Sequence, residues 1–203
     1  VYIASQIVVG LQSVISREKG PLDAGVITVG AFHAGTKHNI ISEYADLQVT
    51  VRANSQAVRD QLIASIERVA KGIGAAHGLP NDKLPIVKVN ESTPVTVNDA
   101  ALARRLNGAI ASALGSDVVV PFRQSNMGAE DFAFFVDQQF GIPGYYFAVG
   151  GTKPEWIAAA KNGGPAVAGH HSPLFKIDPE PSVRLGIEAM TAAALDLLGT
   201  GKN

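Results

Sequence analysis

Ala45-Asp-Leu-Gln-Val-Thr-Val-Arg52 is the stretch on which the fold turns. Ala45, Leu47, Val49 and Val51 alternate with Asp46, Gln48, Thr50 and Arg52, the period of two of a strand with one apolar and one polar face. Immediately after it, Asn54-Ser55 offers an N-cap to a helix whose Leu62, Ile66, Val69 and Ile73 form an apolar stripe, ending near Gly72–Gly78. Before it, the β-branched run Val26-Ile-Thr-Val29 reads as a second strand, separated by the Gly-containing residues 30–38. Further upstream, Ile3, Ile7, Val8, Leu11, Val14 and Ile15 recur at helical spacing to about Arg17, and Gly20-Pro21 breaks that helix. Pro85 to Val89 reads as a further strand. The order helix, strand, strand, helix, strand fits a small α/β sandwich with an antiparallel sheet. Its open strand edges invite pairing with another copy, although solvated edges are commoner.

From Glu91 to Asn98 the chain is polar and interrupted by Pro94, as a linker is. Beyond it Asp99 opens a helix carrying Leu102, Leu106, Ile110 and Leu114. Expected next are a strand at Val118–Val120, a short helix around Glu130–Val136, a strand at Tyr145–Val149, a Gly-rich loop at 162–169 and an amphipathic helix from about Ser182 to Leu198. This is α/β layering in a stretch too short to close a full sheet. The first helix lacks a Ser, Thr, Asp or Asn cap before its stripe, so Val1 is expected to be an internal residue of a longer parent.

Composition narrows the function classes. The 203 residues are 46% hydrophobic and 17% charged, with 17 basic side chains against 18 acidic ones, which describes a globular chain. No Lys/Arg run supplies a nucleic-acid footprint, and no apolar stretch approaches the ~20 residues of a membrane span. With no cysteine, disulfides and thiolate–metal sites are excluded within the chain.

Three places carry groups able to do chemistry. His170-His171 precedes Ser172-Pro173, and adjacent residues of an extended segment face opposite sides, so at most one faces a given metal; the alternative is a polar loop in water. Zinc takes three or four protein ligands, and no H-x-x-x-H or similar cluster supplies the rest. Glu130-Asp131 is a carboxylate pair in Ser125-Asn-Met-Gly-Ala-Glu-Asp-Phe132, suited to acid–base work if one is buried, or else to the first turn of a helix. Phe32-His-Ala-Gly-Thr-Lys-His-Asn39-Ile-Ile-Ser42 joins the two strands, and its glycine and polar side chains are equally those of a plain turn. Arg52 on the polar strand face is either a carboxylate fork or one of many exposed arginines.

In order, His33-Ala-Gly-Thr-x-x-Asn39-Ile-Ile, Thr50-Val-Arg52, Glu130-Asp-Phe132 and His171-Ser-Pro-x-Phe175 resemble the M20 family of metallopeptidases and aminoacylases, in its branch of hippurate hydrolase-like and N-acyl-amino-acid amidohydrolases. The resemblance runs along essentially the whole chain. It implies a lid and dimerisation domain over residues 1–91 and the C-terminal return of a metal-dependent catalytic domain over residues 92–203. It implies that His171, rather than His170, ligates a metal. It further implies that Asn39, Arg52 and, less directly, His33 bind substrate, often in the partner subunit, and that Glu130 and Asp131 support the site without ligating metal. The intact enzyme would hold two divalent ions (zinc, manganese, cobalt or nickel), dimerise through the lid, and reside in the cytoplasm. It would hydrolyse N-acyl amino acids or small amides and peptides, with a metal-bound water deprotonated by a glutamate. Ser42 stands where the family usually has proline. The remaining metal ligands, the glutamate base and the lid histidine of a G-H-x-x-x-P segment have no counterpart here. This chain alone is therefore expected to be inactive, with no catalytic residue of its own. The competing expectation is a non-catalytic lid or dimerisation module acting through protein–protein contact; a third is a regulatory binder of small molecules.

Overall fold

The computed structural model describes residues 1–121 and 127–199. They form two compact units, Val1–Thr96 with Gln124–Phe140, and Val97–Arg123 with Gly141–Asn203.

In the first unit, helix α1 (Tyr2–Ser13) continues through a π-helical turn, Val14–Glu18, into strand β1 (Gly25–Ala34). Strand β2 (Ala45–Ala53) pairs antiparallel with β1, Gly25 opposite Ala53 and Ala34 opposite Ala45, with a register shift between Val29 and Ala31. Gly30 occupies the shift, as a bulge requires when one strand carries an extra residue. Helix α2 (Gln56–Ala76) follows, and its cap is the expected one: Ser55 Oγ accepts from the Val58 amide at 3.3 Å.

The core lies where the two periodicities meet. Ile7 and Leu11 from α1, Val14 from the π-helical turn, Ile27 from β1, and Leu62, Ile66 and Ala70 from α2 are buried together, with Leu47, Val49 and Val51 of β2 packed against them. Each large aliphatic side chain removed from water contributes about 1.5–3 kcal/mol. The helices cover one sheet face only, which leaves the polar side chains of β2 on the other. Gly10 sits at the helix crossing: a Cβ there would lie 2.6 Å from Ile73 Cδ1 and 3.1 Å from Val69 Cγ1, so glycine lets α1 approach α2.

The expected strand at Pro85–Val89 does not form. A strand needs a neighbour's backbone groups, and this segment instead lies against the end of α2, where a Cβ on Gly74 would come within 2.8 Å of Pro85 Cδ, while Val87 packs on the core. The helix expected around Glu130–Val136 contracts to a 3₁₀ turn, Asp131–Phe134, with Ala133 fully buried.

In the second unit, Asp99 caps helix α3 (Ala100–Leu114) by accepting from the Leu102 amide at 2.7 Å. Helix α4 (Pro154–Lys161), which the periodicity did not reveal in its eight residues, precedes α5 (Pro179–Leu198). Leu106 and Ile110 of α3 and Ala189 and Ala193 of α5 are buried, each pair four apart along its helix. Arg105 ties the two helices by donating to the Asp196 carboxylate at 2.6 Å and to its carbonyl at 2.7 Å. Neither strand expected here forms among the described residues. Ser116–Val118 is a 3₁₀ turn following Gly115 at φ 105°. At Tyr146 the backbone is served by a side chain, since Asn98 Nδ2 donates to its carbonyl and Asn98 Oδ1 accepts from its amide, both at 2.7 Å. The chain therefore remains α/β with a two-stranded antiparallel sheet. No helix among the described residues is long and apolar enough to cross a membrane.

Candidate substrate and metal site

Alternation along β2 sends Asp46, Gln48, Thr50 and Arg52 to the sheet face that the helices leave open, and all four are exposed. Arg52 lies opposite Val26 near one end of the hairpin. Its Nη1 donates to the Met127 carbonyl at 2.9 Å, a bond spanning 75 residues of sequence. The guanidinium has five N–H donors in a planar fork, and this bond uses one of them while fixing the plane.

His33 shares the open face, opposite Asp46. Six residues of β2 separate that level from Arg52, about 20 Å at ~3.4 Å per residue. One fold therefore places His33 and Arg52 on the same surface without bringing them together. Asn39 lies beyond His33 in the connecting loop, at the third position of a turn closed by Ile40 N donating to Lys37 O at 3.4 Å. It is exposed, as are Ile40, Ile41 and Tyr44 around it. Ser42, whose Oγ donates to the Tyr44 carbonyl at 2.7 Å and accepts from its amide at 3.2 Å, bends the loop without proline.

Glu130 and Asp131 are both exposed at the opening of the 3₁₀ turn, where Glu130 O accepts from Ala133 N at 3.0 Å. That is the placement expected of carboxylates favouring the start of a helical turn.

The second unit carries His171, exposed and with φ 65°. His170, its neighbour, stacks on Phe175 with ring centroids 4.8 Å apart and planes 30° from parallel. Among the described residues no three His, Cys, Asp or Glu side chains come together to hold a metal ion. The sequence outside them, residues 122–126 and 200–203, includes none of these types. His171 fits a metal as a single donor; the residues of this chain do not fit a complete site.

Two features of the site were missed in the sequence, and only one of them had a signal there. The Met127 carbonyl that orients Arg52 is a backbone group far away in the chain. The His170–Phe175 stack could have been sought, since a Ser-Pro turn between them brings residues five apart into reach.

Comparison with known proteins fixes the class. Residues 1–77 match the peptidase dimerisation domain of the M20 family. The N-acetylcysteine deacetylase of Bacillus subtilis is 32% identical over 184 residues, covering 87% of this chain and 40% of that protein. Hippurate hydrolase of Campylobacter jejuni is 30% identical over 141 residues, covering 68% of this chain and 35% of that protein. Among solved structures, a Bacillus subtilis protein described as a dinuclear metal binding peptidase of the M20 family superposes with a TM-score of 0.66 at 25% identity, covering 99% of this chain and 46% of that one. The chain belongs to the M20 family, and it spans less than half the length of these relatives.

Proposed function

We propose that this chain is the substrate-recognition and dimerisation part of an M20 amidohydrolase acting on N-acyl amino acids or small peptides. Residues 1–91 serve as lid and dimerisation domain, pairing two copies, and residues 92–203 as the C-terminal return of the catalytic domain. The observation that carries the reading is Arg52, a guanidinium oriented by a backbone carbonyl on an open polar sheet face. A fixed fork of this kind suits a substrate carboxylate. The names of two relatives, hippurate hydrolase and N-acetylcysteine deacetylase, both denote N-acyl amino acid substrates.

In this reading Arg52 holds the carboxylate and Asn39 the amide carbonyl or the carboxylate's second oxygen. His33, a strand's length from Arg52, meets the substrate of the other site in a dimer. His171 donates one ligand to a divalent metal whose other ligands lie outside these residues, and Glu130 and Asp131 act beside the site without binding metal. The chain by itself is inactive. Assaying hippurate hydrolysis by the isolated chain and by the intact protein tests this: turnover by the isolated chain above background refutes the division of labour, and none by the intact protein refutes the activity.

A second reading, a dimerisation module without catalysis, is favoured by the match of residues 1–77 and by the lack of a three-donor cluster among the described residues. It requires a stable dimer whose mass is indifferent to chelator and an intact protein without bound metal.

A further inference from the structure

The loop around His171 is more elaborately built than a single exposed ligand needs. Ser172 N donates to Gly169 O at 3.4 Å, closing a turn with His170 and His171 at its two central positions. Among the described residues His171 is the one non-glycine with positive φ. Positive φ at the second central position alone is the signature of a type II turn, where glycine or asparagine is preferred. Histidine tolerates the left-handed region better than most side chains, but still less well than glycine. A second turn follows at once: Phe175 N donates to Ser172 O at 3.0 Å, and the Ser172 hydroxyl accepts from Leu174 N at 3.1 Å. The two turns bring Phe175 back onto the His170 ring.

We propose that His170 is a positioning residue: stacked on Phe175, it clamps the double turn so that the His171 backbone stays left-handed and its imidazole is presented in one orientation. The two histidines then have separate tasks. The ring of His170 is engaged by a carbon face, while that of His171 is left to bind. This inference rests on the reading of His171 as a ligand, and the test separates the two.

The experiment uses the intact protein. Glycine accepts φ 65° freely and alanine does not, so His171→Gly should melt about 1–2 °C above His171→Ala. In a His170→Ala background the clamp is gone, the turn relaxes, and this gap should vanish. Metal affinity, titrated against a competing chelator, should fall ~10-fold or more in His170→Ala, on the scale of groups that orient a ligand. It should stay within about twofold of wild type in His170→Phe, which keeps an aromatic face and no ring nitrogen. Equal melting of the glycine and alanine variants, or a gap that survives His170→Ala, overturns the clamp. Loss of metal in His170→Phe as deep as in His170→Ala overturns it too, because the imidazole itself is then the binding group. Full metal binding by His171→Ala sinks the ligand reading instead, and the two melting comparisons then decide the clamp alone.

Discussion

If Arg52 holds the substrate carboxylate as proposed, replacing it with alanine in the intact protein removes a charge-assisted contact. Such bonds contribute about 1.5–3 kcal/mol, which corresponds to roughly 10- to 150-fold in kcat/KM, carried mainly by KM because the carboxylate is held alike in ground and transition states. The side chain is exposed, so little packing is lost. Among the described residues the bond the fold loses is that to the Met127 carbonyl, a change of ~1 kcal/mol or less that a thermal melt would register separately. The decisive assay compares hippurate with its carboxamide, identical except for the charge. Wild type should prefer hippurate by most of the factor above, and Arg52→Ala should treat the two nearly alike. Arg52→Lys should recover only part of the preference, since an ammonium lacks the planar fork. An unchanged KM for hippurate, or an equal loss on both substrates, would show that Arg52 does not meet the carboxylate.

Other perturbations test the fold that carries this site. Leu62 is fully buried at the centre of the first core, so Leu62→Ala should cost about 2–5 kcal/mol in urea unfolding. Ser55→Ala should cost about 1 kcal/mol by removing the α2 cap. The Glu18 carboxyl is held below the usual glutamate range, first by its hydrogen bond from Arg68, against a partial loss of solvent that opposes it, and then by that residue's charge and by Ser65. A depressed carboxylate contributes stability that is present above its unfolded pKa and lost as pH falls through the folded one. Stability should therefore decline below about pH 4.5, and less steeply in Glu18→Gln. Tyr145, which donates to Asn107 Oδ1, has its pKa raised above 10.0 by burial; its contribution is complete below pH 10 and lost above, so Tyr145→Phe should flatten alkaline unfolding there.

Much of the first unit was legible in the sequence because its periodicities are long and its caps explicit. The alternation from Ala45 to Arg52 identified β2, and Ser55 marked the start of α2 within a residue. The short elements were not legible for physical reasons. Val118–Val120 and Tyr145–Val149 have strand-like composition, yet a strand is defined by a partner, and composition does not reveal that an asparagine side chain will take the partner's place at Tyr146. Likewise Pro85 and Val87 meet the end of α2 and the core while Ile86 and Val89 are exposed, a packing that apolar composition shares with a strand but that makes no ladder.

The site divides along the same line. Residue types were readable: an arginine on the polar face of a strand, a histidine before Ser-Pro, an asparagine in a turn. Their spacing in three dimensions was not, and it changes the chemistry each can do. Sequence order puts His33, Asn39 and Arg52 within twenty residues, which suggests one cluster. Antiparallel pairing instead sets His33 at the Asp46 level and Arg52 at the Val26 level, at opposite ends of one face. A single N-acyl amino acid is too short to span about 20 Å of strand. If both residues meet substrate, they meet different molecules, and that requires two sites to face one sheet. Two copies joined through residues 1–77, the stretch matched to a dimerisation domain, supply that arrangement without altering the hairpin. The pairing of copies and the recognition of substrate are then one property of this sheet: weakening the dimer should lower activity through the His33 end while leaving the carboxylate preference of Arg52 in place.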